Sequence, residues 1–182
     1  MKIALLRHGE AEPFAARDAE RALTTRGQAQ ARDTGAWLKS VLAGQGPARL
    51  LASPYRRAQE TARAVAGEWP LEMVTVDAIT PDTDPRVALA AIEQAAGQGD
   101  EVLVVVSHMP LVAGLASWLE SATFAGGRGF GLAEARVLET DLLAPGLARQ
   151  VDVYLPGLSG RGSRASRRGG CGRLRCSCDG GC

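Results

Sequence analysis

Glu101-Val102-Leu103-Val104-Val105-Val106-Ser107-His108-Met109-Pro110 contains an apolar core of one leucine and four valines, closed by a histidine and a proline turn. Such a run, without polar alternation, fits a strand buried on both faces of a parallel sheet rather than one with a wet face. The chain opens on a second run of this kind, Lys2-Ile3-Ala4-Leu5-Leu6, followed by Arg7-His8-Gly9. Each run ends at a histidine, and these two are the only histidines in the sequence. Ligands of open parallel sheets bind beyond the carboxyl ends of the strands, so placing the two runs side by side brings both imidazoles to one mouth.

Between and after these runs, strand and helix patterns alternate. Residues 49–52 and 73–76 are shorter strand candidates. Residues 25–42 have helical spacing, with Ala29, Ala36, Trp37, Val41 and Leu38 assigned to the inner side. Residues 54–66 form a second helix with Ala58, Thr61, Ala62 and Val65 on one stripe, and Pro54 near its first turn, where a missing N–H costs little. Helices are also expected over 84–96 and over 110–119, the latter turning Leu111, Leu115, Trp118 and Leu119 to the sheet. Residues 134–139 and 149–155 read as an edge hairpin joined around Ala144-Pro145-Gly146. The expected fold class is α/β: a three-layer α/β/α sandwich around a mostly parallel central sheet with an edge hairpin.

The chain has 182 residues, 46% hydrophobic and 23% charged, the balance of an ordinary globular protein with one core. One domain is expected over residues 1–156. Residues 157–182 shift abruptly to glycine, serine and arginine and are expected to be a disordered tail. The tail holds six arginines (161, 164, 167, 168, 173 and 175) against one acid, Asp179, so the body is net negative. That distribution argues against nucleic acid as a partner, because a binder carries its basic patch on the folded part. Cys171, Cys176, Cys178 and Cys182 also lie in the tail; their spacing does not match a paired C-x-x-C zinc site, and no disulfide is expected to hold the body. No run reaches the roughly 18 apolar residues of a membrane span, and Arg7-His8 interrupts the apolar start before a signal-peptide core forms, so a cytoplasmic protein without membrane attachment is expected.

A third strand end leads into a helix at Ser53-Pro54-Tyr55-Arg56-Arg57-Ala58-Gln59-Glu60-Thr61. It supplies guanidinium groups and the free N–H donors of a helix start, both suited to phosphate oxygens. Thr24, Thr25 and Gly27 read as a cap for the first long helix, and Glu10 and Glu12 as solvated loop residues, with acidity at the pocket rim as their alternative role.

Together RHGE (7–10), LTTRGQAQA (23–31), SPYRRAQET (53–61) and VVSHMPLV (105–112) resemble the histidine phosphatase, or phosphoglycerate mutase-like, superfamily. The short length and the SHMPLV wording are most similar to the small phosphohistidine phosphatases of the SixA type. The resemblance implies that His8 is the nucleophile, that Arg7 and Arg57 grip the phosphoryl oxygens, and that His108 completes the pocket, with Gly9 and Ser53 as further substrate contacts. Arg57 rather than Arg56 matches the family arginine, because it directly precedes Ala58. No metal and no cofactor is implied. Where family members place a glutamate or aspartate as proton donor, this chain has Ala78, with Asp77 beside it facing away if the strand continues. This departure fits a phosphohistidine substrate better than a phosphate ester, because a protonated imidazole is already a good leaving group, and the short interval 77–101, which leaves no room for a large cap, points to an open pocket. The expected partner is a phosphohistidine-bearing protein of a phosphorelay, hence a role in signal transduction. A small phosphate ester as substrate, or an idle phosphate-binding scaffold, are the alternatives.

The chemistery has its own logic. An imidazole attacks phosphorus only when neutral, and its unperturbed pKa of about 6.5 makes it marginal near neutrality. Neighbouring guanidinium groups disfavour a further positive charge and bind the equatorial oxygens of the transferring group.

Overall fold

The computed structural model describes residues 1–124 and 127–157. Its six-stranded sheet comprises β1 (Lys2–Arg7), β2 (Ala48–Ala52), β3 (Glu72–Thr75), β4 (Val102–Ser107), β5 (Ala135–Glu139) and β6 (Arg149–Tyr154) in the order β3-β2-β4-β1-β5-β6. The first four of that order are mutually parallel, and β5 and β6 add on antiparallel, so the hairpin forms one edge. The two histidine-bearing strands are direct neighbours, in a register that sets Arg7 opposite Ser107.

Helices α1 (Thr25–Leu42), α2 (Arg56–Glu68), α3 (Pro85–Ala95) and α4 (Leu111–Ser121) cover both faces. Alternation along the central strands divides the core. Ala4, Leu6, Val104 and Val106 pack with Leu38, Leu42, Ala58, Ala62 and Val65 of α1 and α2. Ile3, Leu5, Leu103 and Val105 pack with Ala88, Leu89 and Ile92 of α3 and Leu111 and Leu115 of α4. Each large side chain so buried contributes roughly 1.5–3 kcal/mol. The expected three-layer sandwich is therefore present. Only α3 lies between β3 and β4, so no large cap is inserted there.

Two expectations need correction. The inner face of α1 is Gly27, Ala31, Thr34, Gly35, Leu38 and Leu42, whereas Ala29 and Ala36 are exposed and Trp37 and Val41 are only half-buried. The small and polar residues of that face mislead an apolar count. Gly35 abuts α2 so closely that a Cβ there would lie 2.8 Å from the Cα of Val65, and the Thr34 hydroxyl donates to the Ala133 carbonyl at 2.8 Å. Trp37 stacks on Tyr154 of β6 instead. The helix expected from Pro54 starts at Arg56, because Tyr55, its N-cap, has an extended backbone (ψ 136). The tail beyond residue 157, with its four cysteines, lies outside the described residues.

Candidate active site

His8 and His108 each stand one residue past the carboxyl end of adjacent strands, and their ring centroids are 5.1 Å apart. The His8 N–H donates to the Ser107 carbonyl at 3.0 Å and its carbonyl accepts from Ala133 at 3.1 Å, so the backbone carrying it extends the sheet ladder. Two glycines bring α1 against this turn. A Cβ on Gly9 would sit 2.5 Å from the Gly27 carbonyl oxygen, and one on Gly27 would run into the Glu10 carbonyl oxygen. Thr24 caps α1 by accepting from the Gly27 N–H, as the sequence indicates, and its hydroxyl also donates to Glu10. From α2, the Thr61 hydroxyl accepts from the Gly9 N–H at 3.1 Å.

The His8 ring is held at both nitrogens. Nδ1 lies 2.7 Å from the Gly9 carbonyl, which can only accept, so Nδ1 carries the proton and Nε2 keeps its lone pair. That Nε2 accepts from Arg57 Nε at 3.2 Å. Burial, followed by the charges of Arg57, Arg7 and Arg21, lowers the His8 pKa to about 4 despite the opposing Gly9 bond. His8 is therefore neutral near pH 7. Burial above all, then the neighbouring His8 and Arg57, depresses His108 to about 2.

Arg7, His8, Arg57 and His108 line one open cleft of about 450 Å³, with Glu10, Asp18, Arg21, Tyr55, Asp82 and Met109 around them. The four residues singled out from the sequence are thus brought together. Gly9 and Ser53 sit one layer behind. Ser53 is fully buried and its hydroxyl lies 2.8 Å from His108 Nε2, so it supports that ring from below the cleft. Arg7 donates to the Phe130 carbonyl at 2.6 Å, and desolvation lowers its pKa. Two buried side-chain atoms, Arg7 Nε and His108 Nδ1, have no hydrogen-bond partner among the described residues. A buried unpaired group of this kind typically costs about 1–3 kcal/mol, which a ligand oxygen or donor recovers. Arg56 is exposed and pairs with Glu60, as expected of the arginine outside the site.

The strand before the expected acid position ends at Thr75, and Asp77 and Ala78 form a turn; Asp77 is exposed and outside the cleft, while Asp82 is on its rim. Asp82, Asp18, Arg21 and Tyr55 were not legible as cleft residues. Tyr55 alone had a local signal, its place directly before the arginine pair. Its ring meets His108 edge-on at 4.9 Å, with the Arg57 guanidinium 4.9 Å from its centre.

Comparison with known proteins agrees with this geometry. Residues 3–80 match the histidine phosphatase superfamily (branch 1). The phosphohistidine phosphatase SixA homolog of Haemophilus influenzae is 39% identical over 119 residues, covering 62% of this chain and 73% of that protein. Phosphohistidine phosphatase SixA of Escherichia coli is 34% identical over 116 residues, covering 62% and 70%. The solved structure of the protein histidine phosphatase SixA complexed with tungstate superposes with a TM-score of 0.74 at 27% identity, covering 84% of this chain and 96% of that one. The chain belongs to the histidine phosphatase superfamily, in its SixA-type group.

Proposed function

We propose that this protein is a phosphohistidine phosphatase that removes the phosphoryl group from a phosphorelay protein in the cytoplasm, through a phosphoenzyme at His8. The observation that carries this reading is the neutral His8 ring, its Nε2 lone pair facing Arg57 in a cleft shared with Arg7 and His108. In the first step His8 Nε2 bonds to phosphorus and the bond from phosphorus to the substrate nitrogen breaks; the departing imidazole takes a proton from water and leaves neutral. In the second, water attacks phospho-His8, releasing inorganic phosphate and restoring the free ring.

Arg7 and Arg57 bind the equatorial oxygens, whose charge is the main target of catalysis in phosphoryl transfer. Arg57 Nε exchanges the His8 lone pair for a phosphoryl oxygen as the new bond forms. His108 Nδ1 and Arg7 Nε, buried and unpaired, are ready partners for the same group. The open cleft favours a phosphohistidine standing on a protein surface, which a deep enclosed pocket would exclude. The SixA names of the relatives support the same substrate class.

The test is a comparison of kcat/KM for a phosphohistidine transfer protein with a panel of phosphate esters. The reading predicts a preference of 100-fold or more, on the order of the loss from a missing transition-state contact. Equal or better hydrolysis of an ester would contradict it.

A further inference from the structure

Asp18 lies in a single 3-10 turn, Asp18–Glu20, between β1 and α1, and its carboxylate bridges two cations of the cleft. One oxygen, Oδ2, accepts from Arg57 Nη2 at 2.9 Å, and the other, Oδ1, accepts from Arg21 Nη1 at 3.0 Å. The Asp18 carbonyl also accepts from Arg57 Nη1 at 2.7 Å. The Arg57 side chain is 5% exposed, whereas that of Asp18 is 59% exposed. Arg57 is thus fixed in the wall of the cleft, and the carboxylate reaches it from the solvent side. Both arginines act on His8, disfavouring its protonation.

A carboxylate bridging two guanidinium groups occupies donors of the kind a phosphoryl oxygen would use. We propose that Asp18 is an internal anion that weakens the site's hold on phosphate and so promotes product release. The inference rests on the phosphatase reading above and concerns the regulation of affinity at that site. Without Asp18, the product would face Arg7, Arg57 and Arg21 with less opposing charge, and a tightly held product limits turnover. Asp18 acts through the two arginines and is a positioning residue, but its effect on affinity has the opposite sign to that of a mere support. Loss of a support lets Arg57 wander and weakens phosphate binding; loss of a competing anion strengthens it.

The experiment is calorimetric titration of inorganic phosphate into the full chain at low ionic strength, for the wild type, Asp18→Asn, Asp18→Ser and Asp18→Glu, with kcat and KM measured alongside. Both uncharged variants should bind phosphate about threefold to tenfold more tightly, a range set by partial solvent screening, and the gain should shrink as salt is added. KM should fall with Kd while kcat falls or stays level, and Asp18→Glu should remain close to the wild type. Unchanged or weaker phosphate binding in Asp18→Asn and Asp18→Ser overturns the inference while leaving the phosphatase reading intact. Failure of the wild-type chain to hydrolyse a phosphohistidine protein overturns that reading and the inference with it.

Discussion

Arg57 Nε points at His8 Nε2 from 3.2 Å, a contact between residues on α2 and at the end of β1. An N–H can donate only to an unprotonated ring nitrogen, so this bond and the Gly9 bond to Nδ1 together fix one neutral tautomer. The resulting pKa of about 4 has a direct readout. In NMR titration the His8 ring signals should move with a midpoint near pH 4, and a midpoint near 6.5 would contradict the geometry.

The same depression makes stability depend on pH. The folded His8 binds its proton less readily than the unfolded chain, whose histidine titrates near 6.5. Stability is therefore full above about pH 6.5 and declines as pH falls through the window down to about 4, by roughly 3 kcal/mol from this residue. His108, depressed to about 2, extends the decline to lower pH. Urea unfolding at a series of pH values should show this decline. It should be shallower in His8→Asn, provided that variant folds to the same structure.

Arg57→Ala should lower kcat/KM by about 100- to 1,000-fold, the usual effect of deleting one donor to a transition-state oxyanion. Arg57→Lys should recover little of it. A lysine ammonium cannot reproduce the planar fork that meets His8 through Nε and Asp18 through Nη1 and Nη2. Steady-state kinetics with a phosphohistidine protein checks both variants, and near-complete rescue by lysine would show that charge alone matters.

Ser53→Ala removes the partner of His108 Nε2 and leaves both ring nitrogens of a buried histidine unpaired. Stability should fall by about 1–3 kcal/mol, and kcat by on the order of tenfold as the ring loses its fixed orientation. Thermal melting and kcat measured on the same sample test this. A loss of activity with no loss of stability would instead assign Ser53 a direct contact with substrate.

Gly27→Ala should be more damaging than its size implies, because the added methyl meets the Glu10 carbonyl oxygen, part of the backbone that follows the His8 turn. The expected destabilisation is about 1–3 kcal/mol, accompanied by reduced activity as the turn after His8 shifts. Gly44→Ala, at an open position with φ +81, is the informative comparison: it should cost stability through backbone strain while leaving kcat alone.

Much of this site was legible because its parts are strand ends. The runs before His8 and His108 are continuously apolar, which marks buried parallel strands, and both strands do lie side by side. The Ser53-to-Thr61 stretch carried the same signal, and α2 buries the stripe Ala58, Thr61, Ala62 and Val65. The face of α1 differs from its apolar pattern because close packing at Gly35 and a hydrogen bond from Thr34 select small and polar residues that no hydrophobic count rewards. Asp18, Arg21 and Asp82 were hidden for another reason. They sit on loops or, for Asp18, in one short 3-10 turn, all without periodicity, and only the folded chain shows that Asp18 reaches an arginine on α2.

The most direct test of the account is to mix the protein briefly with a ³²P-labelled phosphohistidine substrate, quench in alkali and locate the label by peptide mapping. The account predicts an alkali-stable, acid-labile phosphoryl group on His8, with no label and no turnover in His8→Ala. Turnover retained by His8→Ala, or label settling on His108 instead, would contradict it.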